Sequence, residues 1–279
     1  MTAIRRASLD EIRLFHAKMM AAAGNATDDR LARIIEAVPR EAFLGPGPWQ
    51  IRAGRSYLET PCADPAFLYQ NVLVALDTEK GINNGEPFLH AAWLCAAAPA
   101  AGETVIHVGA GTGYYTALLS MLVLPNGRVH AYEIEAALAG RARENLRPFE
   151  GVEVIHGDAT ALPLPPADLI YVNAGVVAPP VRWLDALRSG GRLIFPWQPT
   201  DRVGLVLLVT RTDAGHRVRP LMRATFIPCI GASDRSGCRK APSVADAAAV
   251  RSIRLTRDGP PDETAVAIHD DVWFSRADI

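Results

Sequence analysis

Cysteine is scarce: four in 279 residues, at positions 62, 95, 229 and 238. No pair forms CxxC and none has a histidine at zinc-site spacing, so no zinc or redox motif is readable and reduced, structural thiols are expected. No continuous apolar core or small-residue cleavage site follows the two arginines near the start. The most apolar stretch, AAWLCAAAPAA, is too short and too alanine-rich to cross a bilayer. The chain is therefore expected in the cytoplasm, without a membrane. Net charge is almost absent, −1 overall, which argues against nucleic acid and anionic lipid as partners. No internal repeat or low-complexity tract is present.

What is there is a large apolar fraction, 49%, enough for one sizeable core and an appendage. Charge is unevenly spread: between residues 202 and 257, ten Arg and one Lys stand against three Asp. That segment reads either as a solvated basic face or as a docking surface for an acidic partner.

Three regions follow from local texture, with boundaries at 1–100, 101–230 and 231–279. In the first, Ser8 and Glu11 form a capping box, Ile12, Phe15, Met19 and Met20 share a helical face, and Gly24 ends the helix. A second helix is expected from Thr27 to before Pro39. Residues 39–85, rich in Gly, Pro and aromatics, read as irregular connections with short helical pieces of the kind that lie over active sites. From Thr104 short β-like runs alternate with helical ones: TVIHV, GYYTALLSMLVL, GRVHAYE, EAALAGRARENLRPF, VEVIH, ADLIYVNA, PPVRWLDALRSG and GRLIFPW. Parallel crossovers need helices, so this alternation predicts an α/β, doubly wound, mostly parallel sheet covered on both faces. VGLVLLVTRT and HRVRPLMRATFIPC read as two adjacent strands joined by DAGH. The third region should hold a helix near SVADAAAVRSI and one strand near TAVAIHDDVWF.

The first strand of the alternation runs into Gly109, Ala110, Gly111 and Gly113. In an open α/β sheet the ligand sits beyond the carboxyl ends of the strands, which places a pocket here. A dinucleotide loop has the form GxGxxG, and its third glycine would fall on Tyr114, a bulky residue that disfavours a pyrophosphate. The other ligand class suited to this geometry is S-adenosylmethionine, whose amino-acid end lies along a glycine loop. Glu133 ends the next strand, where a carboxylate can accept from both ribose hydroxyls, and Asp158 ends the third, facing the adenine. Glu133 also reads as a helix N-terminal acid, and Asp158 as a turn former. Asn173 ends the fourth strand and faces the pocket mouth. His107 and His156 read as packed or hydrogen-bonded histidines, while Tyr114 and Tyr115 either pack on the N-terminal segments or touch ligand.

In order and spacing, VIHVGAGTGYYTALLS, VHAYEIEAALAGRARENL, VIHGDAT, DLIYVNAGVVAPP and LRSGGRLIFP resemble the S-adenosylmethionine-dependent methyltransferases. More particularly they resemble the protein-L-isoaspartate O-methyltransferase family, as do VPREAFL and SYLETP upstream. The resemblance implies a class I methyltransferase fold, S-adenosylmethionine as cofactor, and carboxylate O-methylation in a protein or peptide. It also implies a Thr-Ile-Ser-type substrate segment before a proline. Here the segment reads KGINNGEP: Asn83, Asn84 and Glu86 stand where hydroxyls are expected. An acceptor carboxylate about 4 Å from Glu86 would be repelled by about 4 kcal/mol at an effective dielectric near 20. Two readings of these residues stay open: an exposed turn leading into a helix, or amides that hold substrate while Glu86 orients a hydroxyl or amine nucleophile. Two other functions compete: a nicotinamide-dependent oxidoreductase and a non-catalytic binding module.

Overall fold

The computed structural model describes residues 6–279. Two helices, α1 (Leu9–Ala23) and α2 (Arg30–Ala37), come first. Short strands β1 (Gln50–Ala53), β2 (Ser56–Glu59), β3 (Ala75–Asp77) and β4 (Ile82–Asn83) then form two separate hairpins, β1 with β2 and β3 with β4. Helix α3 (Pro87–Ala97) leads into the alternating region. That region comprises β5 (Thr104–Val108), α4 (Tyr114–Val123), β6 (Arg128–Glu133), α5 (Ala136–Asn145), β7 (Val152–His156), β8 (Ala167–Val172), α6 (Val181–Ala186) and β9 (Leu187–Thr200). The chain finishes with β10 (Val203–Thr212), β11 (Gly215–Arg223), α7 (Val244–Ala248), β12 (Ser252–Leu255), β13 (Ala265–Ile268) and β14 (Val272–Ser275).

One ten-stranded sheet runs in the order β13-β14-β12-β11-β10-β9-β8-β5-β6-β7. Its pairings from β9 to β7 are parallel, and those from β9 outward through β13 are antiparallel. From β5 the chain proceeds outward through β6 and β7, then returns to place β8 on the opposite side of β5. The order thus reverses between β5 and β8, where an open sheet forms its crevice. Alternation along the strands divides the core between the faces. Ile106, Val108, Ile170 and Val172 pack with Trp183 and Leu184 of α6 and Ala247 of α7. Val105, Leu169 and Tyr171 pack on the other face with residues of α1 to α4 and Ala142 of α5.

The capping box at Ser8 and Glu11 is present and Gly24 ends α1. The buried face of that helix differs from expectation, because His16, Ala17, Met20 and Ala21 point inward while Phe15 and Met19 are exposed. At its end the helix lies close against α3, since a Cβ on Gly24 would lie 2.9 Å from the Ala91 carbonyl carbon. The second helix begins at Arg30, after Asp29, rather than at Thr27. Residues 39–85 hold two hairpins besides their short helical turns, more order than composition suggested. The helix after Pro180 stops at Ala186, where β9 begins, and TAVAIHDDVWF splits into β13 and β14. These two strands and β12 lengthen the central sheet. The arginine-rich segment meets acids outside it: Arg217 with Asp278, Arg235 with Asp201, Arg239 with Asp270 and Arg257 with Asp185, at 2.6–3.0 Å. These pairs offset part of its local excess of charge. Among the described residues no helix is long and apolar enough to cross a membrane.

Candidate active site

The turn after β5 uses backbone that only glycine adopts readily: φ is +78° at Gly109, +58° at Gly111 and +98° at Gly113. Gly113 is required twice over, since a Cβ there would lie 2.7 Å from Leu146 Cδ1. The N–H groups of Gly109 and Ala110 both donate to the Tyr132 carbonyl, at 2.9 and 3.1 Å, which fastens the turn to the end of β6. At that same end Glu133 accepts from Gly111 N–H at 2.6 Å and from Glu135 N–H at 2.9 Å. Burial pushes the Glu133 carboxyl above its usual range, and these N–H donors oppose the shift. A carboxylate has about four acceptor positions, so two remain. The glutamate serves the start of α5 and the pocket together.

A cavity of about 600 Å³ opens over this turn. Gly109, Ala110, Gly111, Glu133, Asp158 and Asn173 line one side, and Asn83, Asn84 and Glu86 line the other. Gly113 lies behind the lining and turns the chain into α4. Asp158 also forms its own turn, accepting from Thr160 N–H at 2.7 Å. Asn173 Nδ2 donates to His107 Nε2 at 2.8 Å, and the other ring nitrogen meets Thr116 Oγ1 at 2.8 Å. Burial lowers the His107 pKa to about 3, so the ring is neutral and acts as a brace. Three residues on the lining each carry a buried polar atom with no partner in the protein: Thr112 Oγ1, Tyr115 OH and Asn173 Oδ1. Orphaned groups of this kind are rare in folded proteins and are satisfied by a ligand where one binds.

The opposite side is built around a residue whose role no residue pattern reveals. Arg40 is fully buried, and its guanidinium donates to Asn84 Oδ1 and to the carbonyls of Leu68, Val72 and Gly85 at 2.7–3.1 Å. It has no carboxylate among these partners. Asn84 is thus a structural acceptor, while Asn83 Oδ1 accepts from Gly85 N–H at 2.9 Å. Glu86 is the N-cap position of α3, and Asn71 braces it by donating to its carboxylate and accepting from Phe88 N–H at 2.8 Å. Asn71 is not on the cavity lining, so one Glu86 oxygen is turned toward a neighbour outside it. The segment after β11 closes the cavity: Gly175 N–H bonds to Ile227 O at 2.7 Å and Cys229 N–H to Gly175 O at 2.8 Å. Its lining residues Phe226, Ile227 and Ile230 carried no sequence signal either.

The family model described as protein-L-isoaspartate(D-aspartate) O-methyltransferase matches residues 17–234. The chain belongs to that family. The Aeropyrum pernix protein-L-isoaspartate O-methyltransferase is 33% identical, over 79% of this chain and 80% of its own. The Methanopyrus kandleri protein of the same name is 31% identical, over 75% and 86%. Two solved structures share the fold. A protein-L-isoaspartate O-methyltransferase has a TM-score of 0.68 at 22% identity, covering 94% of this chain and 87% of that one. A Plasmodium falciparum protein assigned the same activity, in complex with S-adenosyl-L-homocysteine, has a TM-score of 0.63 at 20% identity, covering 78% and 97%.

This family member is therefore an S-adenosylmethionine-dependent methyltransferase of class I fold. The cavity fits the cofactor on its own evidence, because the left-handed glycine turn leaves the backbone open to close approach and two of the residues with orphaned polar atoms, Thr112 and Asn173, line the cavity beside it. A nicotinamide enzyme is set aside by the same match, in line with Tyr114 at the third-glycine position.

Proposed function

We propose that the acceptor is the free carboxylate of an isoaspartyl residue in a protein or peptide. One observation carries this reading: the buried Arg40 guanidinium, bonded only to neutral acceptors, stands directly behind the Asn84-Gly85 wall of the cavity. A cation placed there favours an anionic acceptor and offsets the repulsion from Glu86, which Asn71 also draws aside. Family membership and the relatives named above support the same acceptor.

S-adenosylmethionine supplies a methyl group on a cationic sulfur, so that the new oxygen–carbon bond forms as the carbon–sulfur bond breaks and the sulfur keeps its electron pair. The chain contributes position. Glu133 and Asp158 are set to hold the nucleoside at successive strand ends, and the turn after β5 its amino-acid end. A carboxylate is ionised at neutral pH, so no side chain has to remove a proton. Alignment of the acceptor with the methyl group supplies several kcal/mol of the barrier reduction. Four unpaired cysteines, one of them exposed, support work in a reducing compartment such as the cytoplasm.

Steady-state methyl transfer to an isoaspartyl peptide and to its aspartyl twin tests the proposal. Methylation of the first and not the second is expected, with a lower KM in Glu86→Ala. Absence of ester on the isoaspartyl peptide, with cofactor bound, contradicts it.

A further inference from the structure

The acceptor side of the cavity holds a hydroxyl that bonds to nothing in the protein. Tyr115 is 5% exposed and lines the cavity, and its hydroxyl oxygen is buried without a partner. The ring is fixed from behind. It stacks on His90 with centroids 3.7 Å apart and planes 23° from parallel. His90 Nδ1 in turn lies 2.8 Å from the hydroxyl of Tyr171, which is fully buried. Donation from Tyr171 to Nδ1 gives that buried proton a partner and settles the His90 tautomer with its own proton on Nε2. A stacked pair of rings, hydrogen-bonded to a third, thus ends in one free donor.

The facing loop offers no alternative. Residues 81–86 are Gly, Ile, Asn, Asn, Gly and Glu, without a hydroxyl among them. Gly85 has no room for one, because a Cβ there would lie 2.4 Å from His90 Nε2 and 3.0 Å from Tyr115 Cε2, on backbone with φ of +78°. The His90 and Tyr115 rings fill the space that a side chain at position 85 would need. The unpartnered hydroxyl beside this loop is that of Tyr115 on α4.

We infer that the Tyr115 hydroxyl donates a hydrogen bond to the acceptor carboxylate and holds it for methyl transfer. The inference rests on the carboxylate reading above. Burial pushes the pKa of this phenol above its ordinary value, so it stays protonated and a donor. A carboxylate is the acceptor that rewards such a donor most, since a charge-assisted bond is roughly twice as strong as a neutral one. Leaving the hydroxyl unpaired in the free protein is costly, and acceptor binding removes that cost.

Tyr115→Phe deletes the one atom in question and keeps the stack. The KM for an isoaspartyl peptide is expected to rise roughly tenfold to a hundredfold, the loss of a hydrogen bond to a charged group. The Kd for S-adenosylhomocysteine should stay unchanged and the melting temperature should hold or rise, because a buried orphan has been removed. Tyr171→Phe, which leaves Tyr115 in place but releases His90, should raise the same KM by a smaller factor. An unchanged peptide KM in Tyr115→Phe, or a loss that follows cofactor affinity instead, overturns the assignment. Failure of the wild-type protein to methylate the isoaspartyl peptide overturns the carboxylate reading itself, and it is seen before any variant is compared.

Discussion

Asn173 Nδ2 donates to His107 Nε2 at 2.8 Å, joining the end of β8 to the interior of the neighbouring strand β5. The bond crosses the point where strand order reverses, and it leaves Asn173 Oδ1 buried and free on the cavity lining. A histidine inside a buried strand thereby positions a residue of the cavity lining without lining the cavity itself.

Removal of either partner should weaken cofactor binding. Asn173→Leu is expected to raise the Kd for S-adenosylhomocysteine about tenfold, the value of one hydrogen bond of about 1.4 kcal/mol. His107→Phe should act in the same direction and also destabilise the fold by about 1–3 kcal/mol, because Thr116 Oγ1 loses its partner inside the core. Calorimetry and urea titration separate the two effects.

Cofactor affinity should fall on acidification earlier than an ordinary carboxylate would require. Glu133 has to be ionised to accept from two hydroxyls, and burial raises its pKa above the usual 4.5. Protonation as pH falls through that raised value removes the acceptor, so affinity declines toward low pH. Glu133→Gln should cost about tenfold to a hundredfold at neutral pH and flatten the acid limb, as read by calorimetry across pH.

Acid should also unfold the protein from below about pH 6.5, the ordinary histidine value. Burial lowers His16 to about 4, His107 to about 3 and His90 well below the usual range, so all three are neutral in the fold. The unfolded chain binds these protons and the folded chain does not, so stability is full above pH 6.5 and is lost as pH falls toward the folded values. Each histidine contributes about 1.4 kcal/mol per pH unit in that window. Urea midpoints measured from about pH 7.5 down to about 4.5 check this, and His107→Phe should reduce the slope by about one proton.

Gly113→Ala combines left-handed backbone with a collision and should destabilise by about 2–4 kcal/mol while abolishing cofactor binding. Gly102 is a fair control, since it is off the cavity lining, its φ is +83° and a Cβ there would have nothing within 4 Å. Gly102→Ala should cost only about 1–2 kcal/mol and leave binding intact. Thermal denaturation of both variants gives the comparison.

Local, periodic features are legible in the sequence. The strands from Thr104 to Val172 alternate between two faces with period two, and the glycines, Glu133 and Asp158 stand at strand ends, so chain order alone sets them along one crevice. Arg40, His90 and the lining of residues 225–230 are not legible, because each is defined by contacts far along the chain. The Arg40 guanidinium acts through carbonyls at positions 68, 72 and 85, whose direction no residue pattern reveals. The face of α1 departs from its sequence pattern as well. Bulky Phe15 and Met19 suggest a core stripe, but the inward face is made by His16, Ala17, Met20 and Ala21.

A crystal structure of the ternary complex with S-adenosylhomocysteine and an isoaspartyl peptide tests the account most directly. The ribose hydroxyls should lie on the Glu133 carboxylate, with the peptide carboxylate between the cofactor sulfur and the Tyr115 hydroxyl. A nucleoside seated away from Glu133, or a peptide carboxylate bound elsewhere than the wall formed by Tyr115 and residues 83–86, would contradict it.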